Sequence, residues 1–161
     1  MKLLMSLLVL LLAVGVGFLL RHRKKERTFR STDEFIQWLA NEAVKDAAQD
    51  GISLDYSVES IKQVETILGK LHDMYAANPK SVSVIGLGSA YGAYVGEVMR
   101  RTQPGAHWER DDPAGGEKSY PLIWKSHHLY PMGWCGHRIE NGPEDNVWIK
   151  YSVLKEKIKE N

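Results

Sequence analysis

Ser81 to Arg101 reads SVSVIGLGSAYGAYVGEVMRR, and two incompatible folds hang on it. Taken as a strand turning into a glycine-rich loop before a helix, it would open a phosphate-binding unit. Taken as one helix, it would be a packing element. The spacing Gly86-x-Gly88-x-x-x-Gly92 misses the dinucleotide pattern G-x-G-x-x-G by one residue, and G-x-x-x-x-G-K-[ST] occurs nowhere in the chain. Gly88, Gly92 and Gly96 instead recur every four residues, which lines one helical face with small residues and lets a neighbouring backbone approach. Each glycine costs a helix in water roughly 1 kcal/mol against alanine, so tertiary contact must offset the loss. The spacing favours a helix packed through its glycines.

Helices are expected on the N-terminal side of this stretch. Ser31-Thr32-Asp33-Glu34 is a capping-box sequence ahead of Phe35, Ile36, Leu39, Ala43 and Ala47 at three- and four-residue steps, with Trp38 on the flank and Gly51 as the stop. A second helix is expected from Ser57, with Val58, Ile61, Val64, Leu68, Leu71 and Tyr75 as its apolar stripe and Asn78-Pro79 as its end. From Gly105 the pattern changes to short aromatic runs. Ala106 to Glu109 and Tyr120 to Lys125 predict short antiparallel strands joined by the Pro- and Gly-rich turn Asp111 to Glu117. A short helix is expected after Pro131, stopping at Asn141-Gly142, and a last one opening at Pro143-Glu144-Asp145. The expected class is α+β: an N-terminal transmembrane helix, two to three helices, a small antiparallel sheet and C-terminal helices.

The transmembrane expectation rests on Leu3 to Leu20, LLMSLLVLLLAVGVGFLL, an uncharged run that as a helix would be roughly 27 Å long. The formal charge of +1 conceals an asymmetry beside it. Residues 1–30 carry seven basic side chains against Glu26 alone, whereas residues 31–161 hold 14 basic and 19 acidic ones. The basic flank Arg21 to Arg30 follows the apolar run, and the positive-inside rule then puts the rest of the chain in the cytoplasm of a bacterial inner membrane. A bilayer is therefore one expected partner, with residues 1–20 as anchor, 21–30 as a basic juxtamembrane segment and 31–161 as a single soluble domain. The competing reading is a signal cleaved at Ala13-Val14-Gly15 or Gly15-Val16-Gly17, which would leave a periplasmic or secreted domain. Nucleic acid is not an expected partner, because the acidic part lacks the Lys/Arg surplus that phosphate neutralisation needs. With one cysteine, Cys135, no intrachain disulfide forms.

Candidate chemistry is spread along the C-terminal half. His127, His128, Cys135 and His137 lie in HHLYPMGWCGH, where thiolate and imidazole are zinc-ligand types. The segment has neither C-x-x-C nor H-E-x-x-H spacing, so His127, Cys135 and His137 are kept as metal candidates and no cofactor is expected. Cys135 with His137 or His107 would make a nucleophile pair if the fold joined them. Glu97 has Arg100 and Arg101 three and four residues on, and with Glu109, Asp111 and Asp112 it completes the list of carboxylates for acid–base or metal chemistry. The catalytic candidates are thus Glu97, Glu109 and Cys135. The binding candidates are Trp108 and Trp134, aromatic anchors of the kind interfaces use, with Arg100 and Arg101.

Three segments, LDYSVES at Leu54 to Ser60, YGAYVGEVMRR at Tyr91 to Arg101 and IENGPEDNVWIKY at Ile139 to Tyr151, resemble those of a small, largely uncharacterised bacterial domain family. The likeness spans Leu54 to Tyr151 and includes a Trp after the middle block, which would be Trp108. It implies helices, then a short sheet, then helices, and no catalytic residues. GWCGH departs from the family pattern, where Lys and apolar residues are usual. Such domains look similar to immunity or accessory proteins that bind another protein. The expected function is accordingly a membrane-anchored, non-enzymatic protein-binding module; the alternative is a small enzyme, metal-dependent or not, built on a Glu/His/Cys cluster.

Overall fold

Ser31 Oγ accepts the backbone N–H of Glu34 at 3.2 Å and so starts α1 (Thr32–Gln49) where the capping-box sequence places it. The Glu34 carboxylate reaches back one residue further than the box requires, to the N–H of Arg30 at 2.8 Å. The structure, a computed structural model, describes residues 27–159. At its other end α1 stops as Gly51 takes a φ of +72°, a conformation that costs glycine little.

Helix α2 (Ser60–Ala77) starts three residues later than its apolar pattern predicts. Tyr56 lies at φ 61°, which bends the chain, and Ser60 and Ile61 then donate to the carbonyls three residues back, at 3.2 and 3.1 Å, before α-helical bonding takes over. The decisive stretch forms a single helix, α3 (Val84–Thr102), capped by Ser83 Oγ on the Gly86 N–H at 3.3 Å. No strand and no phosphate loop occurs there. Every residue from Ala90 to Met99 is buried, and side chains such as Val95, Val98 and Met99 contribute roughly 1.5–3 kcal/mol each by leaving water.

Helix α3 runs through the core with α1 on one side and α4 (Pro131–Asn141) on the other, while α2 packs against α4. The glycine stripe is the α3–α4 contact. A Cβ on Gly88 would lie 2.9 Å from Gly136 Cα, and one on Gly92 would lie 2.2 Å from Met132 Cα. The two helices run antiparallel with their backbones touching, so only glycine fits those two positions.

Between them in the chain comes a three-stranded antiparallel sheet in the order β1 (His107–Trp108), β2 (Leu122–Trp124), β3 (His127–Leu129). The first two strands fall within the expected aromatic runs. The third, His127–Leu129, lies where the sequence predicts no strand. Trp108, Leu122 and Leu129 are in register and buried, whereas His107, Ile123 and His128 form the row on the opposite face. The last helix, α5 (Val147–Lys159), opens four residues after Pro143, because Pro143–Asp145 makes only a 3-10 turn. Asn146 Oδ1 accepts from Ile149 N and Glu65 Oε2 from Val147 N, both at 2.8 Å, and these fix the helix start.

The expected membrane-spanning element is corrected. Among the described residues no helix is long and apolar enough to cross a membrane, and Leu3 to Leu20 lie outside the described residues. Even α3, the most buried helix, carries Glu97, Arg100 and Arg101 and meets protein on its apolar faces.

Candidate functional site

Glu97 lies in the third turn of the buried part of α3, with 1% of its surface exposed. Its Oε1 accepts from Arg100 Nε at 2.7 Å and from Trp108 Nε1 at 2.9 Å; its Oε2 accepts from Arg100 Nη2 at 2.9 Å, with Arg101 Nε 3.5 Å away. Burial pushes the carboxyl up, but the bonds from Arg100 and Trp108 and the two guanidinium charges outweigh it, and Glu97 is held below its ordinary value. Such a group stays ionised and saturated with donors, which is the opposite of an acid–base catalyst poised near neutrality. Arg101 in turn stacks on Tyr56, 3.6 Å from the ring centre. Tyr94 Oη bonds both the Tyr56 N–H, at 2.8 Å, and Ser60 Oγ, at 2.6 Å. Of the residues expected to bind a partner, Trp108 is buried in this network, while Arg100 is half-buried and Arg101 exposed at its edge.

The other expected catalytic residues lie apart from Glu97. Trp108 turns inward to it, and strand alternation then sends His107 and Glu109 outward, where they are exposed and pair at 3.4 Å. Cys135 is fully buried on α4, and burial pushes its thiol well above the usual range, so it is a packed hydrophobe and not a nucleophile. His127 and His137 are exposed, on β3 and on α4. Among the described residues no group of three or more His, Cys, Asp or Glu side chains is placed to hold a metal ion.

One cluster escaped sequence reasoning. Asp112 Oδ1 accepts from Tyr130 Oη at 2.7 Å and from the N–H groups of Ala114 and Gly115 at 2.7 and 3.1 Å, and its Oδ2 bonds His128 Nδ1. The Tyr130 hydroxyl above all, with the two backbone amides and His128, holds Asp112 at about 2 against the opposing effect of burial. The arrangement ties the 111–119 turn to β3. The sequence names Asp112 and His128 only as separate candidates, and Asp112 ahead of Pro113-x-Gly115-Gly116 marks an acidic side chain at the start of a turn; nothing in it joins the two.

Trp134 is the one predicted binding residue that faces outward into a groove. With Ile149, Lys150, Val153, Leu154 and Lys157 it lines a depression of about 360 Å³ between α4 and α5. Val147 and Tyr151 point into the core from α5, which leaves Ile149 and Val153 on its far side, 58% and 49% exposed. Comparison of the chain with models of protein families, with curated proteins and with solved structures returns no match. The resemblance of the three quoted segments therefore rests on their residues alone.

Proposed function

We propose that the chain is a non-enzymatic protein-binding module that docks its partner in the α4–α5 groove. The supporting observation is the pair Ile149 and Val153, one turn apart and half or more exposed beside Trp134. A monomer gains nothing by presenting two aliphatic side chains and an indole edge together to water, whereas an interface core is built that way. Helix α5 carries Lys155 and Lys157 against Glu156, with Lys150 paired to Asp145, although residues 31–161 as a whole are acidic. The complementary occupant is an amphipathic helix with an apolar strip flanked by acidic residues.

The test is capture of the partner by Ile149→Asp and Val153→Asp variants, with Ile85→Asp as control because Ile85 is 86% exposed elsewhere. A charge at either groove position is expected to weaken binding by about tenfold or more, and the control to leave it intact. All three variants are expected to unfold at the temperature of the unaltered chain. Equal capture by all three variants would refute the reading, and so would repeated recovery of no partner by the unaltered chain.

A further inference from the structure

A cavity of about 590 Å³ lies on another face, at the start of α1. Arg27, Arg30 and Arg110 reach it from two separate stretches of chain, and Phe29, Phe35 and Tyr120 supply ring surface. The rings form one connected cluster: Phe29 and Phe35 centroids are 5.1 Å apart, Phe35 and Tyr120 4.9 Å. Arg27 lies 5.3 Å over Trp38 and Arg110 6.0 Å over Tyr120. A guanidinium that stacks by its face keeps its in-plane N–H donors available at the edge, which suits a tetrahedral oxyanion. Of the three, only Arg110 has an ion-pair partner among the described residues, Asp111 at 3.2 Å. The basic segment ahead of α1 and the 109–111 turn thus bring three guanidinium groups to one aromatic-walled cavity, large enough for a ligand of several hundred Å³.

We propose that this cavity binds a phosphate monoester carried on a planar ring, of the nucleoside monophosphate class, with the phosphate held by Arg30, Arg110 and Arg27 and the ring laid against Phe35 and Tyr120. Charge alone would fit any anion; the aromatic wall beside the arginines selects one with a flat body. The site is separate from the α4–α5 groove, so a ligand here and a protein partner there do not compete for residues.

The experiment is calorimetric titration of the full chain with adenosine 5′-monophosphate, phenyl phosphate, inorganic phosphate and adenosine. The two ring phosphates are expected to saturate one site at least about tenfold more tightly than phosphate or adenosine alone, since each partial ligand forfeits one half of the recognition. Arg30→Gln and Arg110→Gln, both at exposed positions, are expected to weaken the ring phosphates about tenfold each, and Tyr120→Leu to weaken them while leaving inorganic phosphate unchanged. No saturation by either ring phosphate in the millimolar range would overturn the proposal. Equal affinity for inorganic phosphate and its ring esters would also overturn it, as would ring-phosphate binding indifferent to both arginine substitutions.

Discussion

The six-membered edge of Trp108 occupies the place a side chain on Gly96 would need: a Cβ there would lie 2.3 Å from both Cζ2 and Cη2. The indole cannot swing aside, because its Nε1 is bonded to Glu97, the residue next to that glycine. Alanine at position 96 should therefore cost about 1–3 kcal/mol in overpacking, against a helix-propensity gain of about 1 kcal/mol. At Gly92 the obstacle is Met132 backbone, which cannot rotate away, and the loss should be larger. Gly136→Ala is the contrast: its Cβ would meet only Val84 Cγ1 at 4.0 Å, so the variant should be neutral or up to about 1 kcal/mol more stable. Urea unfolding of the three variants gives the order directly, and equal losses at all three positions would contradict it.

Replacing Glu97 by Gln keeps an oxygen for Trp108 but removes the charge facing Arg100 and Arg101. The expected loss is about 2 kcal/mol near neutral pH. The folded-state value of Glu97 lies below 4.5, so its stabilisation is present above the unfolded value and is lost as pH falls through the folded one. The gap between the unaltered chain and Glu97→Gln should accordingly be constant from pH 8 to about pH 5 and narrow below. A gap that widens on acidification would mean that Glu97 is not the ionised partner described.

Asp112→Asn should act locally. Losing the carboxylate weakens the acceptor for the Ala114 and Gly115 amides, which should exchange with solvent faster while α3 amides keep their protection. Asp112 is held at about 2, below its ordinary 3.8, so in the unaltered chain the turn stays protected down through pH 4 and opens only as pH approaches 2. Amide exchange followed by nuclear magnetic resonance across that range measures both effects.

Cys135 should resist thiol reagents in the folded protein. The side chain is fully buried with its thiol pushed up, so modification requires opening of the α3–α4 contact. Labelling with a chromogenic disulfide should proceed at a rate set by unfolding and rise with urea in parallel with it. Fast labelling without denaturant would show that α4 is not seated as described.

Periodicity was enough to locate α1 and α3, since Phe35, Ile36, Leu39, Ala43 and Ala47 mark a buried face and Gly88, Gly92 and Gly96 a packed one without reference to anything distant. It failed where partners are far apart in the chain. Glu65 sits 73 residues from Arg138, whose Nε it accepts at 2.6 Å, and 82 from Val147, and only the fold shows that one carboxylate joins α2, α4 and α5. Strand β3 was hidden because two of its three residues, His127 and His128, are exposed, which leaves no apolar alternation to read. The groove was half visible. Trp134 announced itself by type, but Ile149 and Val153 look like core residues until Val147 and Tyr151 are seen to take the inward face.

The backbone contact at Gly92 reverses an ordinary expectation about evolutionary freedom. The smallest side chain on a helix is usually the easiest to exchange, and large buried ones the hardest. Here Val95 and Val98 have neighbours that can trade volume with them over successive generations, whereas any substitution at Gly92 adds an atom where Met132 Cα already stands. Among descendants of this sequence, the apolar positions of α3 should drift and that glycine should be inherited unchanged.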